Sequence, residues 1–224
     1  MLPLWACSFT KYPMTSTLVA SEFVSELVAD QPSSVDMMIG IGLVKDTDAV
    51  YFQYLGDEQQ PTALMLPSGK PCTRLPHVTL TGIEIAEDIG EFNSTKLNLI
   101  VTSSAGRTVL LTSGLQTIWS QCMITALMGV FGEYALNAPM TIDTWKGTSK
   151  MRPCFAAIRQ GQQKMSDTEV YNQLREARSD RDKALVERIM RDSVEILQGA
   201  LGIESTSVED VTDVTPDSVE ENEF

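Results

Sequence analysis

The sequence predicts a mainly β fold with one core helix and a helical C-terminal region, and three observations predict it. Runs of alternating apolar residues are separated by short polar turns, one nearly uncharged apolar stretch repeats at i, i+3 and i+4, and a charged amphipathic segment follows. A chain of 224 residues with 43% hydrophobic composition has enough apolar surface for one sizeable core.

Residues 16–30 place Leu18, Val19, Phe23, Val24, Leu27 and Val28 near helical spacing ahead of Gln31-Pro32, which predicts a short N-terminal helix. Residues 35–44 and 49–55 read as extended runs joined by a loop at 45–48, with Gly40 and Gly42 marking a bulge or a close approach of another chain segment. Residues 57–76 predict loops around one short strand at 63–66. Residues 77–86 turn Val78, Leu80, Ile83 and Ile85 inward with one slip at Gly82, and 96–102 and 107–112 flank Ser103-Ser104-Ala105-Gly106 as a hairpin.

Leu115, Ile118, Trp119, Cys122, Met123, Ala126, Leu127, Val130 and Phe131 then repeat with helical spacing and almost no charge, so this helix belongs in the core and Trp119 with it. Two more strands, 140–145 and 154–159, bracket a basic loop at 146–153. Ser166-x-x-Glu169 reads as a capping box. From there the chain runs to Gly202 as one helix, or as two broken near 179–182, and buries Leu185, Ile189, Val194, Ile196, Leu197 and Leu201.

Strands, then a buried helix, then a last strand pair is the order of an OB-like barrel, with a helix packed between strands three and four; an SH3-like barrel or a small α+β sandwich shares it. The expected organisation is an OB-like binding domain at 1–165 including the N-terminal helix, a helical region at 166–202, and a disordered acidic tail at 203–224.

The formal net charge of −13 argues at first against nucleic acid, but the charge is segregated. The last stretch holds Glu204, Glu209, Asp210, Asp213, Asp217, Glu220, Glu221 and Glu223 and no base. Residues 92–165 hold Lys96, Arg107, Lys146, Lys150, Arg152, Arg159 and Lys164 against Glu133 and Asp143, seven bases less two acids, or +5. No run approaches the ~18 apolar residues of a membrane span and the N-terminus lacks a basic leader, so a cytoplasmic protein with no membrane partner is expected.

Cys7, Cys72, Cys122 and Cys154 are scattered and His77 is the lone histidine, so free thiols are expected and neither a metal nor a cofactor. There is no GxSxG, no phosphate-binding glycine loop and no HExxH, which points away from an enzyme. Binding of single-stranded nucleic acid needs ring faces for unstacked bases and cations for the backbone. Phe52 and Tyr54 share one face of an early strand, and Trp145, Lys146, Lys150, Arg152, Phe155 and Arg159 form a strand, loop and strand; with Lys96 and Arg107 they make the candidate surface. For each ring, core packing is the competing reading, and for each base, a solvated surface.

An OB-like body, an acidic tail and the ending Glu-Asn-Glu-Phe together resemble the single-stranded-DNA-binding proteins of phages and bacteria, most closely the podovirus type. Bacterial members end in Asp-Ile-Pro-Phe instead. The stretch 140–159 is also similar to cyanobacterial or cyanophage proteins. The resemblance implies sequence-nonspecific sequestration of single-stranded DNA in replication or recombination. It also implies a tail whose Glu220, Glu221, Glu223 and Phe224 recruit replication or recombination proteins; the tail's charge, opposite in sign to a DNA groove, lets it compete there, and the competing reading is a solubilising tail with an incidental Phe. A homo-oligomer is expected. The competing classes are a structural or adaptor protein that oligomerises through its C-terminal helices, and an acidic DNA mimic.

Overall fold

The structure, a computed structural model, describes residues 35–45, 47–55, 60–89 and 94–203. The expected N-terminal helix at 16–30 and the acidic tail, including Glu220, Glu221, Glu223 and Phe224, lie outside them. The described chain is a mixed nine-stranded sheet with three helices. Its elements are β1 (Met37–Ile41), β2 (Tyr51–Leu55), β3 (Gln60–Ala63), β4 (Arg74–Ile89), β5 (Ser94–Ser103), β6 (Thr108–Gly114), α1 (Ile118–Glu133), β7 (Met140–Lys146), β8 (Cys154–Gln160), β9 (Gln163–Met165), α2 (Thr168–Ser179) and α3 (Lys183–Leu201).

The strand order is β3-β2-β1-β6-β5-β4-β7-β8-β9, with β1 parallel to β6 and every other pair antiparallel. The ladder does not return on itself. It curls, however, because the chain leaving β3 folds back through a Met65–Pro71 bridge and enters β4, with the Cys72 N–H donating to the Leu64 carbonyl. Inside the curl lie Ile39, Tyr51, Leu80, Leu97, Leu99, Leu111 and Ile142, all at 2% exposure or less, which is the alternation of each strand expressed as burial.

β4 is longer than the alternation at 77–86 indicates, because it changes partners. Arg74, Leu75 and Val78 pair with β7, and from Val78 onward the strand pairs with β5. The register shift between Leu75 and Val78 falls on Pro76, which has no N–H to give a ladder, and on His77, whose φ is 51°. The slip at Gly82 is a second shift, between Leu80 and Gly82, where the Ile100 side chain lies over the glycine. Gly40 is explained by close approach: a Cβ there would stand 2.4 Å from the tip of the Phe52 ring.

α1 is capped by Thr117, whose hydroxyl accepts from the Ser120 N–H, and is buried over most of its circumference, Trp119 included. Its tightest contact is with the backbone that joins β9 to α2. The Asp167 N–H donates to the Thr125 carbonyl at 2.9 Å, and a Cβ on Gly129 would lie 2.6 Å from the Ser166 backbone. Gly129→Ala is therefore expected to lower stability by roughly 1–3 kcal/mol, measured as a shift in urea midpoint, since neither backbone can swing aside as a side chain would.

The helical region breaks into two helices at 180–182. The N-cap of α2 is Asp167, which accepts from the Val170 N–H, so the start lies one residue past the capping box read at Ser166. α3 buries Val186, Ile189, Met190, Val194 and Leu197 in the same core cluster as the sheet and α1. Ile196, expected inside, is 46% exposed. It departs from the α3 stripe because the inward positions 186, 189, 190, 193, 194 and 197 already fill a full helical face. Among the described residues no helix is long and apolar enough to cross a membrane.

Candidate nucleic-acid interface

β7 alternates cleanly. Met140, Ile142 and Thr144 point into the core while Thr141, Asp143 and Trp145 face out. Trp145 stands opposite Phe155 on β8, and the two rings stack with centroids 6.0 Å apart and planes 17° from parallel. Trp145 remains 42% exposed. Gly147 makes this pairing possible, since a Cβ there would sit 2.8 Å from the Phe155 ring. The loop closes with the Gly147 N–H donating to the Pro153 carbonyl and the Arg152 N–H to the Ser149 carbonyl.

Trp145 is a ridge between two concavities. On one side a cleft of about 300 Å³ is walled by Phe155, by Gln121 of α1, and by Tyr171 and Arg178 of α2, with Lys164 at its rim. On the other a shallower one of about 640 Å³ runs over Lys146, Lys150, Arg152 and Asp48. The first contains two cations and no carboxylate in its lining. The second contains three cations and one carboxylate.

The cations differ in availability. Lys146 has only 9% of its side chain exposed and donates to the Thr47 carbonyl at 2.6 Å, so it fastens β7 to the β1–β2 loop. Arg152 pairs with Asp48 at 3.0 Å. Arg159 pairs with Asp143 at 2.8 Å, and Asp143 also accepts from Arg74. Lys150 is exposed in the loop.

Burial opposes ionisation of Asp143, but the hydrogen bonds from Arg74 and Arg159 outweigh it and hold its carboxyl below the ordinary aspartate value. A depressed folded value contributes stability that is present above the unfolded value and is lost as pH falls through the folded one. Asp143→Asn is accordingly expected to lower the urea midpoint at neutral pH, with the gap to the parent protein closing in acid below the usual aspartate range.

Of the residues singled out from sequence, Trp145, Lys146, Lys150, Arg152 and Phe155 come together, whereas Arg159, four positions along β8 from Phe155 and opposite Thr141, lines neither concavity. Phe52, Tyr54, Lys96 and Arg107 line neither concavity, which corrects the single surface expected. Phe52 and Tyr54 form an edge-to-face pair, centroids 5.4 Å apart, on the outer face of β2, while Tyr51 takes the core side. Lys96 and Arg107 stand near opposite ends of the β5–β6 hairpin, which a strand of ten residues holds far apart. The composition of the window was basic, but the topology distributes it around the sheet.

Gln121, Tyr171 and Arg178 were not found from sequence. Tyr171, Leu174 and Arg178 recur at i, i+3 and i+7, the spacing that marks one helical face, and that was the available signal. Cys72 is buried and Cys122 and Cys154 half-buried, all three free, as the scattered spacing indicated. Burial pushes the Cys72 and Cys154 thiols up. Comparison with protein-family models, with curated proteins and with solved structures finds no match.

Proposed function

We propose that the chain binds single-stranded DNA, largely without regard to sequence, along the band centred on Trp145. The observation that carries this reading is the exposed Trp145–Phe155 stack set between two concavities lined by Lys150, Arg152, Lys164 and Arg178, besides Lys146 with its side chain only 9% exposed, against one carboxylate. Flat rings accept unstacked bases and adjacent cations accept the backbone, and neither requires a particular sequence.

The order of elements supports the same reading. A long bulged β4 pairs with both β5 and β7, α1 separates β6 from β7, and β7–β8 is a hairpin, which is an OB-like chain order with the 147–153 loop in a flanking position. The departure is that β1, not β8, runs parallel beside β6. The near balance of the described residues, 16 Lys and Arg against 15 Asp and Glu, also leaves the negative charge of the whole chain to segments outside them. The acidic residues 204–224 are then a competitor for the band and a contact for replication or recombination proteins.

Anisotropy of a labelled dT oligomer tests the reading. Affinity is expected to fall linearly on a double-logarithmic salt plot, with a slope of about −0.7 per neutralised phosphate, and deletion of residues 205–224 to tighten binding. A flat salt response, or no binding by the tail-deleted chain, rejects it.

A second reading, self-association, is favoured by one observation. Met38 and Tyr54 are 48% and 54% exposed on an outer sheet face against which no helix of the described residues packs closely. That face, and not the C-terminal helices whose apolar side is buried within the chain, is where an oligomer would form.

A further inference from the structure

The cleft between α1, the edge of β8 and α2 carries more recognition chemistry than backbone binding needs. β9 pairs only with residues 158–160 of β8, so residues 154–157 have no neighbouring strand on that side among the described residues. The Thr144 N–H donates to Thr73, away from β8, and Thr144 is paired with Ala156. In an antiparallel ladder, that turns the Ala156 N–H and carbonyl away from β7 as well, toward the free edge and the cleft that Ala156 lines.

Gln121 supplies the second observation. It is 5% exposed, lines the cleft, and gives its Nε2 hydrogen to the Gln116 carbonyl at 2.9 Å, while its buried Oε1 has no donor. Reversing the amide would set two oxygens face to face, so the orientation is determined by the network. A buried amide oxygen without a donor is costly, and a ligand N–H relieves it.

We infer that this cleft is a base-reading pocket, and this rests on the single-stranded-DNA reading above. One nucleotide of the bound strand leaves the stack and places its base against the Trp145–Phe155 pair. Its edge meets a backbone donor and acceptor at Ala156 and the acceptor Gln121 Oε1, and its phosphate lies near Lys164 and Arg178. Binding that is otherwise indifferent to sequence thereby acquires a modest base preference.

The test compares dA, dC and dT oligomers of equal length, and one with abasic units, on the full chain. A preference of about tenfold among the bases is expected, the effect of one buried hydrogen bond, and it falls to within about twofold in Gln121→Leu. Lys164→Gln weakens all oligomers alike, reduces the salt slope by about 0.7, and leaves the preference in place.

A readout on the unaltered protein covers the case in which Gln121→Leu fails to fold. The best-bound oligomer is expected to slow iodoacetamide alkylation of Cys122, which lines the cleft, and the abasic oligomer is not. Oligomers bound with equal affinity, or Cys122 alkylated at one rate with and without them, overturn the pocket while the salt-dependent binding stands. No anisotropy change with any oligomer overturns both.

Discussion

Trp145→Ala is expected to weaken binding of a dT oligomer by about 1–3 kcal/mol, roughly five- to 150-fold, because one base loses its stacking platform. Trp145→Phe, which keeps a ring opposite Phe155, should retain most of the affinity. The parent fold should tolerate both, since Trp145 is 42% exposed and, among the described residues, its one ring contact is with Phe155. Fluorescence separates this from a general loss. Of the three tryptophans Trp119 is 1% exposed and Trp5 lies outside the described residues, so the quenching that belongs to Trp145 is the part that Trp145→Phe removes.

Thr144→Val is expected to cost about 2–4 kcal/mol of stability, the largest effect foreseen for a single methyl-for-hydroxyl exchange in this chain. The Thr144 hydroxyl bonds the Tyr51 hydroxyl at 2.6 Å and accepts from the Trp119 indole N–H at 3.1 Å, and all three residues are at 1% exposure or below. Removing the oxygen leaves two buried polar groups without a partner and loosens three elements at once, β2, α1 and β7. Burial also raises the Tyr51 phenol far above its ordinary value, so it is neutral throughout the accessible range. Thr144→Ser should recover most of the loss, and Tyr51→Phe should cost less than Thr144→Val because Trp119 keeps its acceptor. Urea denaturation of the four proteins measures the series.

The elements governed by local pattern were legible in the sequence. The hairpin at Ser103-Ser104-Ala105-Gly106, the uncharged helix with Trp119 inside, and the break before Lys183 all follow from periodicity and turn chemistry. β9 was missed because three residues, Gln163–Met165, are too few to show alternation. The long β4 was shortened because Pro76 reads as a strand breaker, although a register shift absorbs it.

The site was half legible, for the same reason. Trp145, Lys150, Arg152 and Phe155 are near in sequence and stay near in space, whereas Lys96, Arg107, Phe52 and Tyr54 depended on strand order, which periodicity does not encode. The parallel pairing of β1 with β6 illustrates this, joining residues about 70 positions apart with no local signal. Nor does sequence reveal which cations are already engaged, as Lys146 is by the Thr47 carbonyl and Arg159 by Asp143.

Photocrosslinking of a dT-length oligomer carrying 5-iodouracil, with the attached peptides identified by mass spectrometry, locates the bound strand directly. Attachment at Trp145, Phe155 or Tyr171 is the predicted result. Attachment confined to Phe52 and Tyr54, or none at any ring while the oligomer is bound, would contradict the account.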